Sequence, residues 1–255
     1  MGAGGAVAAG GGLAALAGGG GSVAPGGAPA TGSGGALPTG AGGVTGGAGT
    51  TGAGGGNPSP GTVTIAPANL IDDLEDGNGS ISALGGRVGA WYTYNDKTAA
   101  GTQTPTVGDP FVPSADGNGS TKAAQTSGSG FAEWGAGFGF DFNVSGTTKG
   151  TYPITAFTGI VFSAKGTPFR LKVLTTGTVP TAEGGTCATT KCGDNFGKPI
   201  AATANWQQFV VPFASLTQEG WGDKVTFDGA TVTGVQFQVA KNVTFDISID
   251  DIGVY

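Results

Sequence analysis

From about residue 62 onward the chain consists of short runs in which apolar and polar residues alternate, separated by Gly, Asn, Asp and Pro. Seven runs stand out: Val88–Tyr94, Phe138–Phe142, Thr158–Ala164, Phe169–Leu174, Trp206–Val211, Thr233–Val239 and Thr244–Ile249. A period of two places one side of a strand in a core and the other in water. The runs are rich in Val, Ile, Phe and Thr, which suit a pleated surface. With no helical period of any length, they predict an all-β fold, an antiparallel β-sandwich. Phe213–Leu216 is the one candidate helical turn. Residues 95–129 are almost all Gly, Thr, Ser, Pro, Asp and Asn, and read as one long loop.

The first 66 residues break the pattern. They hold roughly half of the 54 glycines and no charged residue; the first charge is Asp72. Such a stretch offers too little large apolar surface to offset the entropy lost on ordering. The division expected is therefore a disordered Gly/Ala-rich linker over 1–66 and one domain over 67–255. A flexible chain of that composition has a mean reach of about 40–45 Å for 60 residues. It reads equally as a stalk or as low-complexity drift.

Charge and residue types narrow the chemistry. The net charge is −6, and no basic cluster converges, which argues against nucleic acid and anionic membranes as partners. Histidine is absent, which removes Ser-His-Asp and Cys-His catalysis and imidazole metal sites. Cys187 and Cys192 stand five apart and predict a loop disulfide, hence an oxidising compartment. The rival, half of a zinc site, lacks a second pair of ligands. No long apolar run predicts a membrane span, and no clear export signal is visible at the start of the chain. Glu75, Glu133, Glu183 and Glu219 show no spacing that pairs them as glycosidase carboxylates, and no Gly run has the setting of a phosphate loop. A non-enzyme is expected.

Four segments, in order, resemble galactose-binding-like jelly rolls: Leu70–Gly77, Ala156–Gly166, Trp206–Phe213 and Phe245–Ile252. They are most similar to carbohydrate-binding modules of family 11 and to domains of the complex I intermediate-associated type. Ser163, often aromatic in that group, and the Cys187–Cys192 loop depart from it. The resemblance implies a jelly roll whose first and last strands lie together. It also implies a structural calcium between them, with ligands among Asp73, Glu75, Asp76, Asp250 and Asp251; calcium takes six to eight oxygens. The alternative is that these acids cap strand ends and face water.

Alternation also groups candidate ligand-binding residues. With Leu171 and Val173 inward, Arg170 and Lys172 point outward together. Gln236 and Gln238 project from their strand, Asp141 projects opposite the Phe138–Phe140–Phe142 stripe, and Asp246 and Ser248 do so on the closing strand. Trp91 is the aromatic expected to stack on a sugar ring. A plain solvated sheet face is the competing reading. Trp134 and Trp221, each flanked by Gly, read as core or rim packing, and Trp206 as buried. The expected function is non-catalytic binding of an extracellular polysaccharide by a secreted or surface-tethered monomer. A structural or adhesive domain without a sugar ligand is the second reading, and an unrecognised hydrolase or lyase the third.

Overall fold

The computed structural model describes residues 62–255; the linker expected over 1–66 lies almost wholly outside the described residues. The strands are β1 (Leu70–Asp72), β2 (Trp91–Asn95), β3 (Thr102–Thr104), β4 (Ser114–Ala115), β5 (Lys122–Ser129), β6 (Ala136–Asp141) and β7 (Asn143–Ser145). They continue with β8 (Thr148–Gly150), β9 (Gly159–Gly166), β10 (Phe169–Thr175), β11 (Phe196–Ile200), β12 (Gln207–Pro212), β13 (Val232–Val239) and β14 (Phe245–Val254). One sheet runs β12-β9-β14-β5-β3, with β1 also on β14 and β4 on β5. The second runs β11-β10-β13-β6-β2, and β7–β8 forms a separate hairpin. Every strand pairing is antiparallel. The expected antiparallel jelly-roll sandwich is what the chain adopts.

The core lies between the two sheets, filled by alternate residues of each strand as the period of two requires. Phe138, Phe140, Leu171, Val173 and Phe237 come from one side; Ile160, Phe162, Ile247 and Ile249 come from the other. All seven predicted runs become strands, and Phe213–Ser215 forms the expected turn of 3-10 helix. Ordered contacts begin before residue 67: the Val63 amide donates to Gln208 Oε1 at 2.7 Å.

Two expectations are corrected. Residues 95–129 are not one loop. They contain β3, β4 and the eight-residue β5, which lies between β14 and β3. The inward residues of β5 are Ala124 and Thr126, both fully buried, so the strand is built from side chains too small to register as a hydrophobic run. Trp91 is not on an open sheet face. It is 4% exposed, its indole Nε1 donates to Asp72 Oδ2 at 2.7 Å, and its ring stacks on Phe111 at 5.6 Å. The phase of β2 is set by its neighbour: Tyr92 and Tyr94 oppose Gly139 and Gly137 on β6, where a tyrosine ring has room to lie over the sheet.

Candidate functional site

The register of the five-stranded sheet arranges its outward side chains in rows that cross the strands. One row reads Pro199, Arg170, Gln238, Gly137, Tyr94; the next reads Gly197, Lys172, Gln236, Gly139, Tyr92. Asp141 and Gly234 continue the face beyond them. Arg170, Lys172, Gln236, Gln238 and Asp141 therefore share one surface, as alternation predicts. Asp246 and Ser248 do not join it, because β14 belongs to the other sheet.

Glycines form the floor. A Cβ on Gly137 would sit 2.7 Å from Tyr94 Oη, and one on Gly197 would sit 2.8 Å from Arg170 Nε. The long side chains thus lie flat across the sheet. Arg170 is held there by bonds from its Nη2 to the carbonyls of Thr217 (2.6 Å) and Gly197 (3.1 Å). The Gln236 amide donates to Tyr92 Oη at 3.0 Å, and the Gln238 amide to the Trp134 carbonyl at 3.2 Å. Tyr94 Oη and Arg170 Nε are buried and lack a hydrogen-bond partner. Glu219 approaches Arg170 Nε only to 3.8 Å, an ion-pair distance too long for a hydrogen bond.

Three loops frame this floor. On the β7–β8 hairpin, Lys149 reaches back to Asp141 at 2.8 Å and lies over the Tyr92 ring at 4.9 Å. Glu183 approaches the same ammonium at 3.8 Å. On the loop after β12, Glu219 faces Lys172 at 3.6 Å as well as Arg170. Before β6, Trp134 stacks on Tyr94 at 5.9 Å. Burial lowers the Lys172 pKa, with Glu219 opposing, and burial raises that of Asp141 despite Lys149. Burial also holds both tyrosine hydroxyls well above their usual value, with the Asp141 charge adding at Tyr92. The surface offers amides, a guanidinium and an ammonium, with flat aromatic rings at one edge. Its carboxylates, Asp141 and Glu219, are each engaged by cations.

Local patterns did not single out Lys149 or Glu219, which reach the face through tertiary folding. The Gly-flanked tryptophans were the available signal: Trp134 and Trp221 lie at the rim, 44% and 54% exposed. Trp206 is half-buried beneath Lys165 Nζ, 4.9 Å from its ring.

The acids expected to hold calcium lie where β1 meets β14. Glu75 accepts from the Thr121 and Lys122 amides, at 3.0 and 2.6 Å. Asp250 accepts from Asn118 N, Ser120 Oγ and Asp251 N. Burial, then the charges of Asp250, Asp73 and Glu75, raises Asp251 to about 6. Asp76 turns instead toward Asn78. Among the described residues no group of three or more ligating side chains converges closely enough to share an ion. The negative charge gathers there without forming a ready cage. Cys187 and Cys192 form the predicted disulfide. Among the described residues no helix is long and apolar enough to cross a membrane.

No family model matches the chain. It is 27% identical over 211 residues to Endoglucanase 3 of Fibrobacter succinogenes (strain ATCC 19169 / S85), an alignment covering 76% of this chain and 29% of that protein. The chain thus spans less than a third of that relative's length. Among solved structures it is similar to the family 11 carbohydrate-binding module of the cellulosomal cellulase Lic26A-Cel5E of Clostridium thermocellum. The TM-score is 0.47 at 14% identity, over 76% of this chain and 95% of that one. It is also similar to the family 30 module of the cellulosomal cellulase Cel9D-Cel44B of the same organism, with a TM-score of 0.45 at 15% identity, over 65% and 90% of the two chains.

Proposed function

We propose that this domain binds a polysaccharide outside the cell, without cleaving it, on the open face of the five-stranded sheet. The observation that carries the reading is the row from Tyr94 through Gln238 and Arg170 to Pro199, in which Gln238, like Gln236 in the next row, stays half-exposed on the sheet. Sugar hydroxyls both donate and accept, so they suit amides and a guanidinium lying across a floor. A shallow hollow bordered by Pro168, Pro199, Ala201 and Ala240 continues the row past Arg170. The occupied carboxylates favour binding over turnover: Asp141 is neutralised by Lys149, and Glu219 faces Arg170 and Lys172. The sequence relative is an endoglucanase, which makes a β-linked glucan the first ligand to test. The disulfide suits an oxidising, extracellular setting.

Calorimetric titration with soluble β-glucans tests the reading. Binding is expected, with no release of reducing ends. A glycan array on which the domain binds nothing would overturn it and favour a purely structural or adhesive role.

A further inference from the structure

We propose that Glu219 sets the charge selectivity of the glycan face: its fixed carboxylate answers the two cations of β10, so that the face takes neutral β-glucans and turns away chains of uronic acid. The proposal rests on the glycan-binding reading of that face and adds the class of chain it excludes.

Hydroxyl groups are neutral, yet β10 places Arg170 and Lys172 side by side on the face, and the two rows that hold them contain no carboxylate. Lys172 is 5% exposed, too buried for water to compensate its charge. Burial lowers its pKa, Glu219 opposes, and the Arg170 charge adds a smaller push downward. Arg170 Nη2 is spent on the Gly197 and Thr217 carbonyls, while its Nε lies toward Glu219. Glu219 Oε2 stands 3.8 Å from that Nε and 3.6 Å from Lys172 Nζ. One oxygen thus serves both cations and makes a close hydrogen bond to neither.

The position of this carboxylate is set by the backbone beneath it. Thr217 and Gly197 exchange two backbone bonds, at 2.9 and 3.0 Å, which stitch the segment to β11. Gln218 donates to the carbonyls of Asp194 and Asp223, at 2.8 and 2.9 Å, and accepts from the Val225 amide at 3.0 Å. Asp194, 1% exposed, gathers the amides of Glu219, Gly220 and Gly222 at 2.8, 2.8 and 3.1 Å. The Asp223 amide bonds to the carbonyl of Lys191, inside the ring closed by Cys187 and Cys192. Each residue from Thr217 to Gly220 is therefore tied down, and the charge is presented with little left to order on binding.

The rest of the face is balanced in the same way. Lys149 meets Asp141 and Glu183, so Arg170, Lys172 and Lys149 are matched by Glu219, Asp141 and Glu183. A neutral chain leaves this balance as it is. A uronate chain brings a carboxylate on every ring to cations already answered, on a protein of net charge −6. Like charges set against each other penalise the wrong partner more than they reward the right one. Without Glu219, Arg170 Nε and Lys172 Nζ would be open to a carboxylate from solution.

The test compares cellohexaose with the hexamer of β-1,4-linked glucuronate by calorimetry at low salt; the two share a backbone and differ in their C6 carboxylates. The wild type is expected to bind the glucuronate at least about tenfold more weakly. Glu219→Gln should raise glucuronate affinity relative to cellohexaose by about tenfold, and about 0.5 M salt should remove most of that gain. Glu219→Gln leaves Lys172 buried without a partner, so Lys172→Met/Glu219→Gln is also compared with Lys172→Met, a pair in which no buried charge is orphaned. Loss of the carboxylate should again favour the glucuronate. Each variant is checked for an unchanged β-sheet spectrum. An affinity ratio unmoved in both comparisons, with cellohexaose still bound, would overturn the role of Glu219 while leaving the face as the site. A wild type that binds both hexamers equally would do the same. Binding of neither hexamer by any of the four proteins would overturn the selectivity and the β-glucan reading together.

Discussion

On the seven-stranded sheet the outward positions are roofed by the chain itself. Val161 is fully buried and Ser163 nearly so. Asn118 donates its side chain to Ser163 and its amide to Asp250, and Gln208 exchanges two bonds with Val63. Lys165 is paired with Asp116. On the five-stranded sheet the covering is partial and comes from the margins: Lys149 lies over Tyr92, Glu219 faces Arg170 and Lys172, and the Trp134 carbonyl meets Gln238. Gln236 and Gln238 stay half-exposed between them. The same alternation of residues thus yields one outward face partly roofed by the chain and one whose central amides stay half-exposed.

Substitutions should therefore divide by face. The largest effect belongs to the core that both sheets share: Trp91→Ala should cost about 3–5 kcal/mol, read by urea denaturation. Retention of wild-type stability would restore Trp91 to the surface. Next comes Asp72, buried under Trp91 and raised to about 6 by that burial, with the Trp91 and Leu74 bonds opposing. Because the folded pKa lies above the unfolded 3.8, this group's contribution is fully present below about pH 4 and is lost as pH rises through about 6. The scale is on the order of 2–3 kcal/mol. Asp72→Asn should flatten that slope in melts taken from pH 4 to 7, and an unchanged slope would show that Asp72 does not cause it.

Arg170→Ala should weaken glucan binding about 10–100-fold, the worth of a charged hydrogen bond, with a smaller fall in melting temperature from the lost bonds to the Gly197 and Thr217 carbonyls. A loss of stability without a loss of binding would erase the distinction between the faces. The smallest effect concerns the acids at the β1–β14 contact. Millimolar calcium should raise the melting temperature modestly by relieving the mutual repulsion of Asp73, Glu75, Asp250 and Asp251, and chelator should reverse it. Indifference to both would assign those carboxylates to hydrogen bonding alone.

The sandwich was legible because its strands carry Phe, Val and Ile at a period of two. β5 was not, since Ala, Thr and Gly fill the same inward positions without the bulk that marks them. The phase of β2 was illegible for the opposite reason: Trp91, Tyr92 and Tyr94 put aromatics on both faces, and only the glycines of β6 decide which side has room. Arg170, Lys172, Gln236, Gln238 and Asp141 could be grouped from alternation alone. Lys149 and Glu219 could not, because neither lies in an alternating run: the hairpin after β6 and the loop after β12 carry them to the face.

The closing strand has a consequence for how the molecule comes into being. β14 is the longest strand, and β1, β5 and β9 all pair with it, though each precedes it in the chain. During synthesis β5 and β9 emerge with one edge left unmatched, and β1 waits for a partner about 180 residues downstream. Such distant pairings make assembly slow and all-or-none. The five-stranded sheet needs nothing from β14, whereas the other sheet closes only when β14 joins β1, β5 and β9.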